Sequence, residues 1–168
     1  MNFSMQIRRE CPEDATAIRL VTEAAFRGIL HSDQTEARIV DALRSAGALT
    51  LSLVADQEGE ILGHAAFSPV RIEGVSDWYG LGPVSVAPRR QRTGIGQGLI
   101  RCGLDQLRLL KAAGCVVFGE PAYYGRFGFE SDPRLFYDGA PPGYFQRLIF
   151  EGGAPSGEVK YHPGFNVS

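Results

Sequence analysis

Short segments rich in apolar residues, several of them alternating with polar residues, predict strands along the whole chain. These segments lie at residues 5–9, 49–55, 61–72, 78–86, 115–118, 144–150 and 158–161. The turn Asp56-Gln-Glu-Gly-Glu60 joins the second and third segments and favours an antiparallel hairpin. Prolines at positions 133, 141 and 142 indicate an irregular connection before the last two strands.

Apolar residues three or four positions apart predict three helices. The first covers about 12–26, and the second covers about 33–45 and ends at Gly47. The third and clearest begins after Gly94 and is closed by Gly114. The residues that these helices are expected to bury are Ala17, Leu20, Val21, Ala24, Ile39, Val40, Leu43, Ile95, Leu99, Ile100, Leu104, Leu107 and Leu110. One or two further helical turns are expected over 121–126.

The order of these elements predicts an α+β fold around one mixed sheet. The strands on either side of the third helix imply a parallel crossover, whereas the hairpin is antiparallel. The chain has 168 residues, which suffices for one domain with its own core, and no linker divides it. We therefore expect a single domain over 1–168.

The segment from Val84 to Ile100 carries the clearest chemical signal. An apolar strand runs into Pro88 and a basic stretch, and then Gly94 and Gly96 open the third helix. A helix start offers free N–H groups and the positive end of the helix dipole, which together bind phosphate. The glycines let a phosphate approach the backbone closely. Positive charge beside the site comes from Arg89, Arg90 and Arg92.

The same segment can be compared with two other kinds of nucleotide-binding site and with a role in helix packing alone. A nucleoside-triphosphate P-loop needs Gly-Lys-Ser or Gly-Lys-Thr, and neither occurs in the chain. A dinucleotide site needs GxGxxG directly after a strand, but here a loop separates Val86 from glycines at 94, 96 and 98. Glu120 stands where a ribose-binding acid would lie, so this alternative stays open. The third alternative is that the glycines serve only close packing of the helix.

Composition and charge narrow the class of protein. An apolar fraction of 44% and a charged fraction of 21% are typical of globular proteins, and a net charge of -2 gives no general attraction to nucleic acid or membranes. The three cysteines have no disulfide or zinc spacing, so we expect buried or half-buried thiols in a reducing compartment. The three histidines have no metal-like spacing, so no metal site is expected. With no apolar leader, we expect a cytoplasmic protein.

Three motifs follow one another along the chain: the strand Leu81–Pro88, the loop Gln91-x-x-Gly94-x-Gly96 and the segment Tyr124-x-x-x-Gly128-Phe129. In this order they resemble the GNAT superfamily of N-acetyltransferases. The resemblance assigns them to the family's pantetheine-binding strand, its acyl-CoA pyrophosphate loop and its Y-x-x-x-G-F segment. The resemblance covers residues 5–130, and the phrase from Pro121 to Phe129 is most similar to the YhbS-type branch.

The resemblance implies an α/β/α sandwich, with a mostly antiparallel central sheet of six or seven strands and about four flanking helices. It implies a core motif over 81–130, an irregular tail over 131–168, and central strands that splay apart near the cofactor. Backbone groups of Val84, Ser85 and Val86 would bind the pantetheine of acetyl-CoA or CoA. The pyrophosphate loop would comprise Gln91, Arg92, Thr93, Gly94, Ile95 and Gly96. Pro83 departs from a regular strand because it donates no ladder hydrogen bond.

Within this resemblance, Tyr124 is the expected catalytic residue, as the general acid that protonates the departing thiolate. A tyrosine with a pKa near 10 stays protonated at neutral pH, and transfer to a thiol with a pKa near 8.5 is uphill by roughly 2 kcal/mol. The alternative is that Tyr124 packs its ring and bonds the cofactor sulfur without donating a proton. The family register selects Tyr124 over its neighbour Tyr123.

No motif identifies the acceptor amine, which is either a small molecule or an amine of a protein. Candidates for its general base are Glu73, Glu120, His64 and Asp77, each of which also fits a surface or core role. A catalytically idle acyl-CoA-binding module and a nucleotide-binding protein are the alternatives to an N-acetyltransferase. A homodimer through the sheet edge or the tail is a further expectation.

Overall fold

The computed structural model describes residues 4–168. Its helices and strands, in chain order, are β1 (Met5–Arg9), α1 (Ala15–Phe26), α2 (Glu36–Ser45), β2 (Leu51–Gln57), β3 (Glu60–Ile72), β4 (Trp78–Val86), α3 (Ile95–Leu109), β5 (Gly114–Phe118), α4 (Pro121–Tyr124), β6 (Leu135–Phe136), β7 (Phe145–Ile149) and β8 (Gly157–Tyr161). The main sheet has the order β1-β2-β3-β4-β5-β7, and β8 pairs with β3 and with β6. The expected mixed, mostly antiparallel sheet with four helices is confirmed, since among the described residues only β4–β5 and β6–β8 are parallel.

Alternation along the strands divides the core between the two faces of the sheet. On one face, α3 packs its apolar side on Leu53, Ala65 and Phe67. On the other face, Ile18 of α1 and Val40 of α2 pack on Val54. Side chains of successive strand residues point to opposite faces, which is why one strand serves both layers.

The two parallel central strands separate, as the family resemblance implied. Pairing between β4 and β5 runs only from Trp78 opposite Gly114 to Leu81 opposite Val117. From Val84 to Val86, β4 pairs with β3 alone. One edge of β4 therefore has no neighbouring strand over its last residues.

Pro83 lies at an irregularity in β4. The Gly82–Pro83 peptide bond is cis, and the pairing with β3 shifts between Ala65, opposite Val84, and Phe67, opposite Leu81. Beyond this bulge the pairing continues to Val86. The proline thus stands where the ladder is already interrupted, as its missing N–H requires.

Some details of the predicted helices and thiols were wrong. Leu20 and Leu110 were expected to be buried, but they are 60% and 49% exposed, because the buried stripe of each helix is narrower than the apolar pattern. Helix α2 begins at Glu36 rather than 33. The left-handed residue after α3 is Lys111 rather than Gly114, which begins β5. Cys11 is exposed.

Residues 131–168 contain three of the strands and close the sheet. β7 pairs antiparallel with β5 along its whole length, from Gly114 opposite Ile149 to Phe118 opposite Phe145. β8 adds to β3 at Val70–Ile72. A short bridge between Glu130 and Arg147 covers part of the outer edge of β7.

Candidate functional site

The loop before α3 presents a row of unpaired backbone N–H groups. Within residues 4–168, the N–H groups from Arg92 to Gln97 have no hydrogen-bond acceptor, and the first helical N–H that is bonded belongs to Gly98, which donates to the Gly94 carbonyl at 3.0 Å. Gly94 caps the helix with φ 93°, in the left-handed region. This concentration of donors at a helix N-terminus is suited to a phosphate.

The open edge of β4 leads directly to this loop. Ala87 donates to the Leu62 carbonyl at 2.8 Å and fixes the end of the strand against β3. The Gln91 side chain donates to the Val86 carbonyl at 3.1 Å and ties the loop to the strand. The open β-edge and the row of loop donors are therefore continuous.

A groove of about 620 Å³ runs along this edge and the loop. It brings together eight residues that the sequence assigned to the site: Val84, Val86, Gln91, Arg92, Gly94, Ile95, Gly96 and Tyr124. Two assigned residues do not line it. The Ser85 side chain is buried, and Thr93 turns its hydroxyl to the Arg90 carbonyl.

Tyr124 stands beside the open edge, on the short helix α4 that follows β5. Its ring lies against Gly119, where a Cβ would be 2.4 Å from the ring, and it contacts Tyr123 and Phe129 at centroid distances of 5.0 and 6.0 Å. Burial, together with smaller contributions from the neighbouring Tyr123 and Cys115, raises the pKa of Tyr124 to about 12. The phenol therefore keeps its proton throughout the physiological pH range.

Tyr123 connects α4 to the start of α3. A Cβ on Gly96 would lie 3.1 Å from the Tyr123 hydroxyl, so the second glycine of the loop makes room for this side chain. The Arg126 guanidinium lies over the Tyr123 ring at 4.7 Å, and both residues line the groove. Burial raises the pKa of Tyr123, and the positive charges of Arg126 and Arg101 oppose this rise.

The three loop arginines have different roles in the structure. Arg89 forms an exposed ion pair with Glu60 and does not line the groove. Arg90 lines it and donates to Gln57 at 2.8 Å, and Arg92 lines it with φ 64°. Positive charge at the groove thus comes from Arg90, Arg92 and Arg126.

Comparison with known proteins places the chain in a family. A profile of the acetyltransferase (GNAT) domain matches residues 49–131. The chain is 39% identical to the N-acetyltransferase YhbS of Escherichia coli K12 over 170 residues, which cover 96% of this chain and 99% of that protein. The chain belongs to the GNAT family of acetyltransferases.

Solved GNAT structures share the whole fold. A GNAT acetyltransferase from Brucella melitensis in complex with acetyl-CoA is 55% identical, with a TM-score of 0.88 and coverage of 98% of this chain and 99% of that chain. YhbS from Escherichia coli in complex with CoA is 35% identical, with a TM-score of 0.87 and coverage of 99% and 94%. The predicted similarity to YhbS is confirmed.

None of the four candidate general bases lines the groove along the β4 edge and the loop. Glu73 and Asp77 border a different surface groove near β8, and Glu120 lies near the Tyr144 hydroxyl at 3.4 Å. His64 is fully buried and bonded to Ser52, and burial lowers its pKa to about 4. His64 is therefore a neutral core histidine, as the alternative interpretation held.

The third glycine of the loop has a packing role. A Cβ on Gly98 would lie 2.9 Å from Ile7 of β1, so this glycine brings α3 close to the sheet.

Residues 4–168 contain no group of three His, Cys, Asp or Glu side chains suited to a metal. None of the helices within this range has the length and apolar content that a membrane span requires.

Sequence reasoning missed one wall of the groove. Ala25, Phe26 and Ile29, at and beyond the end of α1, line it opposite the loop, together with Gln97. In the sequence these residues stand at or beyond the end of the first helix, and no motif there indicates a site. Only the packing of α1 across β3 and β4 places its end beside Val84 and Tyr124.

Proposed function

We propose that this protein transfers an acetyl group from acetyl-CoA to a primary amine by direct attack in a ternary complex. The observation that carries the proposal is the continuity of three features in one groove. These are the unpaired N–H groups from Arg92 to Gln97, the open edge at Val84–Val86, and the protonated phenol of Tyr124.

The groove residues fit the parts of acetyl-CoA in order. The loop N–H groups, with Arg92 beside them, would hold the pyrophosphate. The open edge of β4 would hydrogen-bond the pantetheine amides as an added strand would, because β5 no longer pairs with β4 beyond Leu81. The acetyl-CoA and CoA complexes of two similar GNAT proteins support this assignment.

Tyr124 would act as the general acid. The thioester supplies an activated acetyl group, and its thiolate leaves more readily when protonated. Tyr124 would donate the proton from its hydroxyl, which burial keeps in the protonated form. The transfer is uphill, because burial raises the pKa of the phenol above that of an ordinary thiol.

The acceptor would enter beside the end of α1. No Asp or Glu is among the described residues that line the groove, so the amine would lose its proton to water or to a residue outside it. Orientation of the two reactants would then supply much of the rate. The cytoplasmic location is part of this proposal and agrees with three unpaired cysteines.

The experiment is a thiol-release assay with acetyl-CoA and a panel of amines. We expect thermal stabilisation of the protein by acetyl-CoA, and release of free thiol only when a suitable amine is present. The panel should include protein N-terminal peptides, lysine peptides, polyamines and small aromatic amines. Acetyl-CoA binding without thiol release from any amine would favour the non-catalytic binding module. Stabilisation by NAD or ATP but not by CoA would overturn the proposal.

A further inference from the structure

A chain of hydrogen bonds runs from Arg44 on α2 to His64 on β3. The Arg44 guanidinium donates two hydrogen bonds to the Glu10 carboxylate, at 2.8 and 3.0 Å. The Ser52 hydroxyl donates to the same carboxylate, and its oxygen lies 2.7 Å from Nε2 of His64. The chain therefore ends at a fully buried imidazole.

The direction of these bonds fixes the tautomer of His64. The single proton of the Ser52 hydroxyl goes to the carboxylate, so the serine oxygen must accept a hydrogen bond from Nε2–H. Nδ1 then carries a lone pair rather than a proton. Within residues 4–168 this buried Nδ1 has no hydrogen-bond partner.

A complementary atom lies on the neighbouring strand. Ser85 stands directly opposite His64 in the antiparallel pairing of β3 and β4, so both side chains are on the same face of the sheet. The Ser85 hydroxyl is buried and also lacks a partner among the described residues. A buried hydroxyl and a buried lone pair thus belong to directly paired residues on one face of the sheet, and one internal water between them would satisfy both.

The surrounding side chains close this space without competing for these atoms. Ile18 and Val40 pack on Val54, the residue opposite His64 on its other side. The Thr22 hydroxyl of α1 is already donated to the Ile18 carbonyl at 2.7 Å. Among the described residues, the charged groups that act on the pKa of His64 are Glu10, which raises it, and Arg44, which lowers it.

Ser85 is the central residue of the open cofactor edge. Val84 and Val86, on either side of it, line the groove, whereas its own side chain points away, toward α1. Any shift of Ser85 therefore moves the backbone groups that would meet the pantetheine amides. Because β5 does not support this stretch, its position depends on contacts with β3.

We propose that His64 and Ser85, linked through one internal water, are positioning residues that hold the open edge of β4 in place for CoA. The inference rests on the proposed function, since it assumes that CoA binds along Val84–Val86. Ser52 and Glu10 contribute by fixing the tautomer that presents a lone pair to Ser85. None of these side chains touches a reacting atom.

The test is a double-mutant cycle read by calorimetric binding of CoA. We expect Ser85→Ala and His64→Leu each to raise the dissociation constant about tenfold, or about 1.4 kcal/mol. The double variant should bind no more weakly than either single variant, because both remove the same link. His64→Gln should bind nearly as tightly as wild type, since its amide offers both a donor and an acceptor. In turnover with a responsive amine, KM for acetyl-CoA should rise while kcat is kept.

Val54→Ala is the matched control. It removes buried volume beside His64 but no polar atom, so it should lower the melting temperature without changing the CoA dissociation constant. If His64→Leu does not fold, Ser52→Ala replaces it in the cycle with Ser85→Ala. Unchanged affinity in Ser85→Ala, or additive losses in the double variant, would overturn the inference. Failure of the wild type to bind CoA would instead overturn the proposed function.

Discussion

Tyr124 and His64 illustrate how burial acts on single residues in opposite directions. Removal from water disfavours the charged form of any group. It therefore raises the pKa of Tyr124 to about 12 and lowers that of His64 to about 4. Both side chains are therefore neutral at pH 7, the tyrosine as a phenol in the groove and the histidine as a hydrogen-bonding group in the core.

The first prediction concerns Tyr124. We expect Tyr124→Phe to lower kcat about 100-fold, the usual contribution of a general acid, and to leave the CoA dissociation constant within about twofold of wild type. Tyr123→Phe, which leaves the Tyr124 hydroxyl in place, is the control for kcat. In wild type the rate should rise with pH as the amine deprotonates and should not fall again below about pH 11. If Tyr124→Phe kept the wild-type kcat, the Tyr124 hydroxyl would not be the general acid and the side chain would have a packing role only.

The second prediction concerns the acid stability that His64 controls. An unfolded chain protonates His64 near pH 6.5, whereas the folded protein resists protonation until about pH 4. Stability linked to His64 is thus fully present above pH 6.5 and is lost as the pH falls toward 4. We expect the wild type to lose about 2 kcal/mol of unfolding free energy between pH 7.5 and pH 5 through this residue. Urea unfolding of wild type and His64→Gln at both values measures it, and equal losses in the two proteins would contradict it.

At the scale of elements, α3 links the ligand groove to the core. Its N-terminus begins with a left-handed glycine and a row of free N–H groups, and its apolar side covers β2 and β3. Two glycines along the helix permit its close approach to the sheet: Gly98 against Ile7, and Gly103, where a Cβ would lie 2.2 Å from Phe67. Gly98 and Gly103 therefore have a packing role, whereas Gly94 provides the left-handed conformation at the start of the helix.

The third prediction separates backbone conformation at the loop from bulk. Gly94 has open space around its missing Cβ but φ 93°, which L-residues rarely adopt. We expect Gly94→Ala to lower stability by about 1 kcal/mol and to weaken CoA binding about tenfold or more, because the loop donors move. Gly125→Ala is the control, since it also has open space but φ −57°. Calorimetry with CoA measures both, and equal affinities would argue against phosphate binding by this loop.

The fourth prediction concerns the C-terminus of α3. Lys111 takes a left-handed conformation with φ 65°, and the next N–H, of Ala112, donates to the Leu107 carbonyl at 3.0 Å. Glycine adopts this conformation without strain, so Lys111→Gly should raise the unfolding free energy by about 0.5–1 kcal/mol despite a more flexible unfolded chain. Lys111→Ala, which removes the charge but keeps the strain, should give no gain in the same denaturant titration.

At the scale of the whole molecule, the separation of β4 from β5 determines where a ligand can enter the sheet. Four residue pairs join the two strands, and then the chain of β4 continues without a partner on that side. β3 holds it from the other side, and α1, α3 and α4 border the opening. A ligand that pairs with this edge completes hydrogen bonding that the fold leaves open.

The fifth prediction follows from this arrangement. CoA at 100 times its dissociation constant should stabilise the folded protein by about 2.7 kcal/mol, which corresponds to a rise of about 5–10 °C in the melting temperature. NAD and ATP at the same concentrations should give no comparable shift. A scanning-fluorimetry series checks this, and a rise with NAD alone would support a dinucleotide site instead.

The homodimer stays a prediction. Sedimentation at micromolar concentration would measure the mass of the species in solution and so test it.

The sequence alone determined most of the elements and the local chemistry of the loop. The period of apolar residues placed β4 and α3 within a few residues of their observed bounds, because burial on one face imposes that period directly. Gly94 and the flanking arginines predicted a phosphate-binding helix start, because the residues that suggest this chemistry are adjacent in the chain. The expected role of Tyr124 came from the six-residue motif Tyr124-x-x-x-Gly128-Phe129.

Only the tertiary structure decided what distant segments do together. The end of α1 became a wall of the groove, and Leu20 proved exposed, because the crossing of α1 over the sheet selects which side of the helix is covered. The partnership of His64 with Ser85 and Ser52 depends on the register of three strands, which no local pattern encodes. Contacts between residues far apart in the chain are set by packing of whole elements, and that is why they appear only in the folded molecule.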